Sequence, residues 1–496
     1  MLFRSALSTT ITAVNDAPVA TGSATLAAVD EDTPSPPGAT VSSLFGGNFS
    51  DSTDTVAGGS TANSFIGVVV TGNAATAAQG TWQWLNGSTW TNIVTSLSDS
   101  SGLFLTTATS VRFAPAKDFN GAPGSLTVRL VDSSIAAPTN GSTQNVSTNG
   151  GTTAYSAATV ALSTTITAVN DAPVASGSAT LAAVNEDTSS PPGATVSSLF
   201  GGNFSDAADQ VAGGSSANTL AGVAISGYTA DSTKGVWQYS SNGTAWTTIG
   251  SVSVVTSALS LKSTDLLRFL PAANWNGTAP TLTVKLIDSS TTVTTGATVN
   301  ATGGGTTAYS SATVTLGTTI TAVNDAPVAS GSATLAAVNE DTSSPSGDTV
   351  TNLFTRNFSD STDTVAGGST ANSFMGVVVT GNAATTAQGT WQWNNAGTWT
   401  NIATTLSDSS GLFLTTATGI RFLPAANFNG APGSLTVRLV DSSIAAPANG
   451  STQNVSSNGG TTAYSAATVA LSTTITAVND APVATGSATL AAVDED

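Results

Sequence analysis

One string constrains this chain more than any other. ALSTTITAVNDAPVA fills residues 6–20 and returns at 161–175 and 470–484, and a close variant, TLGTTITAVNDAPVA, stands at 315–329. Asn15, Asn170, Asn324 and Asn479 therefore mark periods of 155, 154 and 155 residues. A solenoid or propeller unit is roughly 20–50 residues long, so a period of this size is a whole domain. The copies align between the markers as well: GTWQWLNGSTW at 80–90 matches GVWQYSSNGTAW at 235–246 and GTWQWNNAGTW at 389–399. The first and third copies are nearly identical and the second has diverged. The spacing predicts the end of a preceding copy over 1–16, three complete repeats over 17–171, 172–325 and 326–480, and the opening of a fourth over 481–496. A chain that starts and stops inside a copy reads as a piece of a longer array.

Within a copy the pattern is strand and turn. SLTVRLVD (125–132), TLTVKLID (281–288), ATVALSTTITAV (158–169) and GVAISG (222–227) are rich in Val, Ile, Leu and Thr and alternate with period two. Asn-Gly pairs at Asn86-Gly87, Asn242-Gly243 and Asn276-Gly277 read as turns. No segment carries a sustained apolar face with a 3.6-residue period. The expected fold is all-β, a tandem array of antiparallel β-sandwiches. The Gly- and Thr-rich tracts at 141–154, 295–307 and 450–463 lack strand periodicity and read as a long loop or an added hairpin. Strands of ordinary length make each domain about 40–50 Å long and the array about 130 Å or more.

Composition removes most chemistry. The chain has no His and no Cys, so it builds neither a Ser-His-Asp or Cys-His relay nor a zinc site of nitrogen and sulfur ligands nor a disulfide. Only 8% of residues are charged, and the net charge is -18, which repels nucleic acid and anionic membrane surfaces and favours cations. No apolar run is long enough to span a bilayer. Residues 1–5 lead into Thr-rich sequence without the apolar stretch of a signal peptide, so an export signal is expected elsewhere.

The acids are placed unevenly. There are four Glu, Glu31, Glu186, Glu340 and Glu495, and all occupy one repeat position, in VDED or VNEDT. Asp recurs in the VNDAP marker (Asp171), in an NFSD-x-x-D element (Asp206, Asp209) and at the end of the LTV strand (Asp288). Turn-forming and strand-end capping explain any single Asp of this kind. As a recurring set of oxygen ligands with no soft ligands, they match Ca²⁺, which takes six to eight oxygens.

These residues resemble the cadherin repeat. VNDAP after a final strand is similar to the linker that bridges consecutive cadherin sandwiches through calcium. NEDTSSPPGATV (185–196), FSDAAD (204–209) and LTVKLID (282–288) resemble its opening, its Asp-x-Asp element and its last acidic strand. The likeness is to the bacterial cadherin-like, VNDAP-type form found in tandem in large secreted adhesins. PAANWNG (271–277) replaces the acidic element that precedes the last strand, and the Asp-x-Asp spacing is one residue longer, which implies fewer or weaker calcium ions per junction. Carried over residue by residue, the resemblance implies one site from Glu31, Asn170, Asp171, Asp206, Asp209 and Asp288. The second would come from Glu186, Asn324, Asp325, Asp360, Asp363 and Asp441. Carboxylates so close repel one another without a cation, so an empty junction is expected to be loose.

Trp82 and Trp84, two apart on one strand, share a sheet face. Large aromatics usually fill a core; exposed together they would make a glycan-binding platform, with Trp90 beside them. The resemblance implies a non-enzymatic adhesion and biofilm stalk on the bacterial cell surface, with calcium as ligand and cell-surface molecules as partners. The alternative is a repeat protein that binds glycans or surfaces through its Trp hairpins.

Overall fold

A computed structural model describes residues 9–495 and shows an all-β chain of repeated sandwiches. In repeat 1 the elements are β1 (Val19–Ala20), β2 (Ala24–Thr25), β3 (Val29–Asp30), β4 (Ala39–Thr40), α1 (Val41–Phe45), β5 (Phe49–Ser50), β6 (Phe65–Asn73) and β7 (Gly80–Asn86). They continue with β8 (Thr89–Asn92), β9 (Gly102–Thr106), β10 (Ser110–Pro115), β11 (Leu126–Asp132), β12 (Thr143–Gln144), β13 (Val160–Ser163) and β14 (Ile166–Thr167). One sheet has the order β4-β10-β7-β8 and the facing sheet β12-β9-β6-β11-β13-β2, and both patterns recur in repeats 2 and 3. The long pairings are antiparallel, as expected. The parallel exceptions are the short β13–β2 and β14–β3 pairs, in which the end of a repeat lies beside its own beginning.

The two sheets enclose a core of Phe45, Val68, Val70, Trp82, Leu105, Phe113, Leu126, Val128, Leu130, Val160 and Leu162. Trp82 meets Phe113 edge to face at 5.2 Å, and its indole N–H donates to the Gly124 carbonyl at 2.8 Å, which satisfies the one polar atom the ring brings inside. The outer face of the six-stranded sheet is also covered. Val69, Phe104 and Val131 pack there against Val146 and Ala154 from the Gly- and Thr-rich tract, which forms the short strand β12 and a second small core. Burial on both faces explains why β6 carries the continuous run Val68–Val70, while β11 keeps its alternation for the inner core and adds Val131 to the outer one. Repeats 2 and 3 build the same pair of cores.

The structure corrects one expectation about local structure. Each repeat contains a short helix, Val41–Phe45, Val196–Phe200 and Val350–Phe354. Thr40 caps the first by accepting from the Ser43 N–H at 3.2 Å, and Val41 and Phe45, four apart, both point into the core. Five residues are too few to show a period in sequence.

The strand expected over 1–16 falls partly outside the described residues, and residues 9–16 form no strand. No strand forms over 481–495 either, and Leu490 is 92% exposed, although the same sequence pairs with neighbours at β1, β2 and β3.

Candidate metal centres and repeat junctions

Each repeat closes its leading end with a cup of buried acids. In repeat 2, Asp206 follows the short strand Phe204–Ser205, Asp209 lies in the next turn, and Asp288 ends the long strand Leu282–Asp288. Their exposures are 6%, 5% and 0%. The linker enters from the preceding repeat and lies over them: the Asp171 N–H donates to Asp209 Oδ1 at 2.9 Å, and the Asn170 amide reaches Asp288 Oδ2 at 3.4 Å. Asn218 ties the set together. Its backbone N–H donates to Asp206 Oδ2 at 2.6 Å, and its side-chain amide donates to Asp209 Oδ2 at 3.0 Å and Asn170 Oδ1 at 2.9 Å. In repeat 3 the cup is Asp360, Asp363 and Asp441 with Asn372, beneath Asn324 and Asp325. A third copy, Asp51, Asp54 and Asp132 with Asn63 beneath Asn15, stands in repeat 1.

These carboxylates are short of partners. Oδ1 of Asp51, Asp206 and Asp360, and Oδ2 of Asp132 and Asp441, are buried and accept no hydrogen bond. None of the four ion pairs among the described residues reaches a cup. Burial, followed by the charges of Asp209 and Asp288, outweighs the Asn218 N–H and raises the Asp206 pKa from 3.8 to about 6. Asp360 is likewise pushed up to about 6, by burial and then by Asp363, Asp441 and Asp325. A buried carboxylate without a counter-charge is costly, and the same oxygen lacks a partner in repeat after repeat. The donor set is all oxygen, and rotating an Asn amide by half a turn turns a donor into an acceptor, so its chemistry suits a hard cation such as Ca²⁺, although the three carboxylates of a cup do not all approach within 4.8 Å of one another.

A second acidic group lies at the first junction. Oxygens of Asp32, Asp118 and Asp171 all lie within 4.8 Å of one another, the one such trio among the described residues. Asp32 and Asp118 adopt left-handed backbone conformations, φ 58° and 57°, which Asp tolerates better than most residues, and the Asp118 N–H donates to Asp32 Oδ1 at 2.9 Å. Burial, then Asp118, Asp32 and Asp209, raises the Asp171 pKa. At the second junction Asn274 replaces the middle acid, between Asp187 and Asp325.

The structure thus divides the expected ligand set. It brings Asn170, Asp206, Asp209 and Asp288 together, and likewise Asn324, Asp360, Asp363 and Asp441; Asp171 and Asp325 meet their cups through the backbone N–H, and the Asp171 carboxylate faces Asp32 and Asp118. Glu31 and Glu186 lie beside the linkers with both oxygens engaged in hydrogen bonds, and burial, then the charges of Asp187, Asp363 and Glu186, raises the Asp325 pKa. Glu31 accepts from the Val169 N–H at 2.7 Å and the Asn120 amide at 3.0 Å, and Glu186 from Val323 at 2.7 Å and Asn276 at 3.0 Å. Sequence reasoning missed Asn63, Asn218 and Asn372, although their fixed place in VAGGS-x-AN was a usable signal. It also missed Asp32 and Asp118, because the second repeat carries Asn274 where the first carries Asp118.

Trp82 and Trp84 are core residues, 0% and 6% exposed. Trp90 is partly buried beneath the Arg112 guanidinium, 4.2 Å from its ring centre. The hairpin therefore presents no shared aromatic platform to a glycan.

Fold and site together define a class: tandem β-sandwich repeats whose junctions are lined with buried acids. No protein-family model matches the chain, and the curated proteins gave no match. Among solved structures the chain is similar to PcdhgB3 EC1-4, at 10% identity over 80% of this chain and 66% of that one, with a TM-score of 0.32. Human CDH23 EC21-23 is similar at 12% identity over 90% and 96%, with a TM-score of 0.31. Drosophila N-cadherin EC1-4 is similar at 10% identity over 94% and 76%, with a TM-score of 0.26. All three are multi-repeat cadherin extracellular fragments. At such scores none of them says what this chain does. No helix among the described residues is long and apolar enough to cross a membrane.

Proposed function

We propose that this chain is a non-enzymatic extracellular stalk of the bacterial adhesin type, in which Ca²⁺ held by each acid cup fastens the incoming linker to the repeat that follows. The observation that carries this reading is the unpartnered carboxylate oxygen buried beside the linker, Oδ1 of Asp206 at the first junction and of Asp360 at the second. Asp206, Asp209 and Asp288 would supply the charge, and Asn170 and Asn218 would supply neutral oxygens; the cation would add the positive charge the cup lacks. The non-enzymatic part of the reading is supported by Glu31, Glu186 and Glu340, three of the four Glu, whose oxygens are already occupied as hydrogen-bond acceptors.

A cation that binds only the folded cup adds stability as RT ln(1 + [L]/Kd), about 2.7 kcal/mol at a hundredfold excess over Kd. Thermal melting and limited proteolysis at the VNDAP linkers, with calcium and with chelator, test the reading. A higher melting temperature and slower linker cleavage in calcium are expected; identical behaviour in both conditions overturns it.

A further inference from the structure

We infer that each junction also carries a metal-free lock, joined across the repeats by uncharged Asn and Ser groups, that holds adjacent repeats in register with no cation bound, where the sequence alone suggests a loose empty junction. The Asn120 side chain of repeat 1 uses both of its N–H donors and accepts one bond at its oxygen. Its amide donates to Glu31 Oε2 at 3.0 Å within its own repeat and to Ser215 Oγ of repeat 2 at 2.8 Å, while its Oδ1 accepts from the Ser215 N–H at 2.6 Å. Glu31 Oε1 holds the linker through the Val169 N–H. The second junction repeats every bond: Asn276 donates to Glu186 at 3.0 Å and to Ser369 Oγ at 2.7 Å, and accepts from the Ser369 N–H at 2.7 Å.

Burial shows that the neighbouring repeat completes the lock. Asn120 and Asn276 are 2% and 3% exposed, whereas their counterpart Asn429, whose amide donates to Glu340 at 3.0 Å, is exposed because no following repeat covers it among the described residues. The backbones meet closely as well. A Cβ on Gly214 would stand 2.2 Å from Asn120 Oδ1, and one on Gly368 at 2.2 Å from Asn276 Oδ1. The counterpart Gly59 in repeat 1 would meet only Val56 of its own turn, at 3.3 Å and beyond. A carboxylate in place of the Asn120 amide would face the Glu31 carboxylate across the present 3.0 Å bond, and the pair would need a shared proton or a cation between them. The amide replaces that need with hydrogen bonds shielded from water.

The lock rests on the same junctions as the calcium reading but not on any metal, and the two are separable. The chain contains no Cys. Spin labels at Ser88→Cys and Ser241→Cys, on exposed turns of repeats 1 and 2, therefore report the distance across the first junction. In chelator the otherwise unchanged chain is expected to keep one narrow distance peak, Gly214→Ala to lose it, and Gly59→Ala, which places the same Ala in the same turn, to keep it. Asn120→Asp is expected to lose the peak in chelator while its melting transition persists. A peak that is broad in chelator without any junction substitution, or a Gly214→Ala peak that stays narrow there, overturns the lock. A narrow peak in both calcium and chelator, with no calcium binding, would leave the lock standing and remove the metal reading.

Discussion

At the scale of single residues, Asp206 and Asp360 are the most exposed to test, because their environment fixes a sign. Their folded pKa of about 6 lies above the ordinary 3.8, so the folded, cation-free protein binds these protons more tightly than the unfolded chain does. Their contribution to stability is therefore complete below about pH 4 and is lost as pH rises through about 6. In chelator, the melting temperature should fall between pH 5 and pH 7, and Asp206→Asn with Asp360→Asn should flatten that slope and raise stability at pH 7. Calcium should reverse the order at pH 7, stabilising the unsubstituted chain more than the variant, which keeps only the cup of repeat 1. A variant less stable than its parent in chelator at pH 7 would show that these carboxylates are structural acceptors and nothing more.

The cup was largely legible in sequence because its Asp residues recur at fixed positions in each copy. Glu31 and Glu186 were legible as special, but the hydrogen bonds by which Glu31 holds Asn120 and Glu186 holds Asn276 were not. The lock was hidden because Asn276-Gly277 looks like a turn, and its partner Ser369 lies 93 residues away. Nothing local marks such a pair.

Among elements, the long strands were readable and the short ones were not. β6 and β11 carry enough Val and Leu to declare themselves, and the Trp hairpin packs as large aromatics usually do. Two-residue strands such as β1 and β2 exist only because a neighbour accepts their hydrogen bonds, and the same sequence over 483–495 stays unpaired. Helix α1 escaped because its signal is two residues, Val41 and Phe45, and a Thr cap. Removing that cap with Thr40→Ala should cost about 1 kcal/mol, read as a lower denaturant midpoint with unchanged slope. Removing the central indole has a larger effect: Trp237→Ala should cost about 3–5 kcal/mol. Because each repeat has its own core, that loss should appear as one early melting transition, with those of repeats 1 and 3 unmoved. A uniform downward shift of a single transition would mean that the repeats fold as one cooperative unit.

For the whole molecule, the account has two couplings at each junction, one charged and one neutral. The cup joins the linker to the repeat above it, and the lock joins the repeat below to the one above. An array fastened twice at each joint should scatter as an extended particle in calcium, with a maximum dimension of about 130 Å or more. The charged coupling is the part on which the stalk reading depends. Calorimetric titration of calcium into the metal-free chain at pH 7.5, beside the Asp206→Asn and Asp360→Asn double variant, measures it directly. The account predicts saturable binding that the double variant reduces by the two sites it has lost. Binding that is absent at millimolar calcium, or unchanged in the variant, would contradict it.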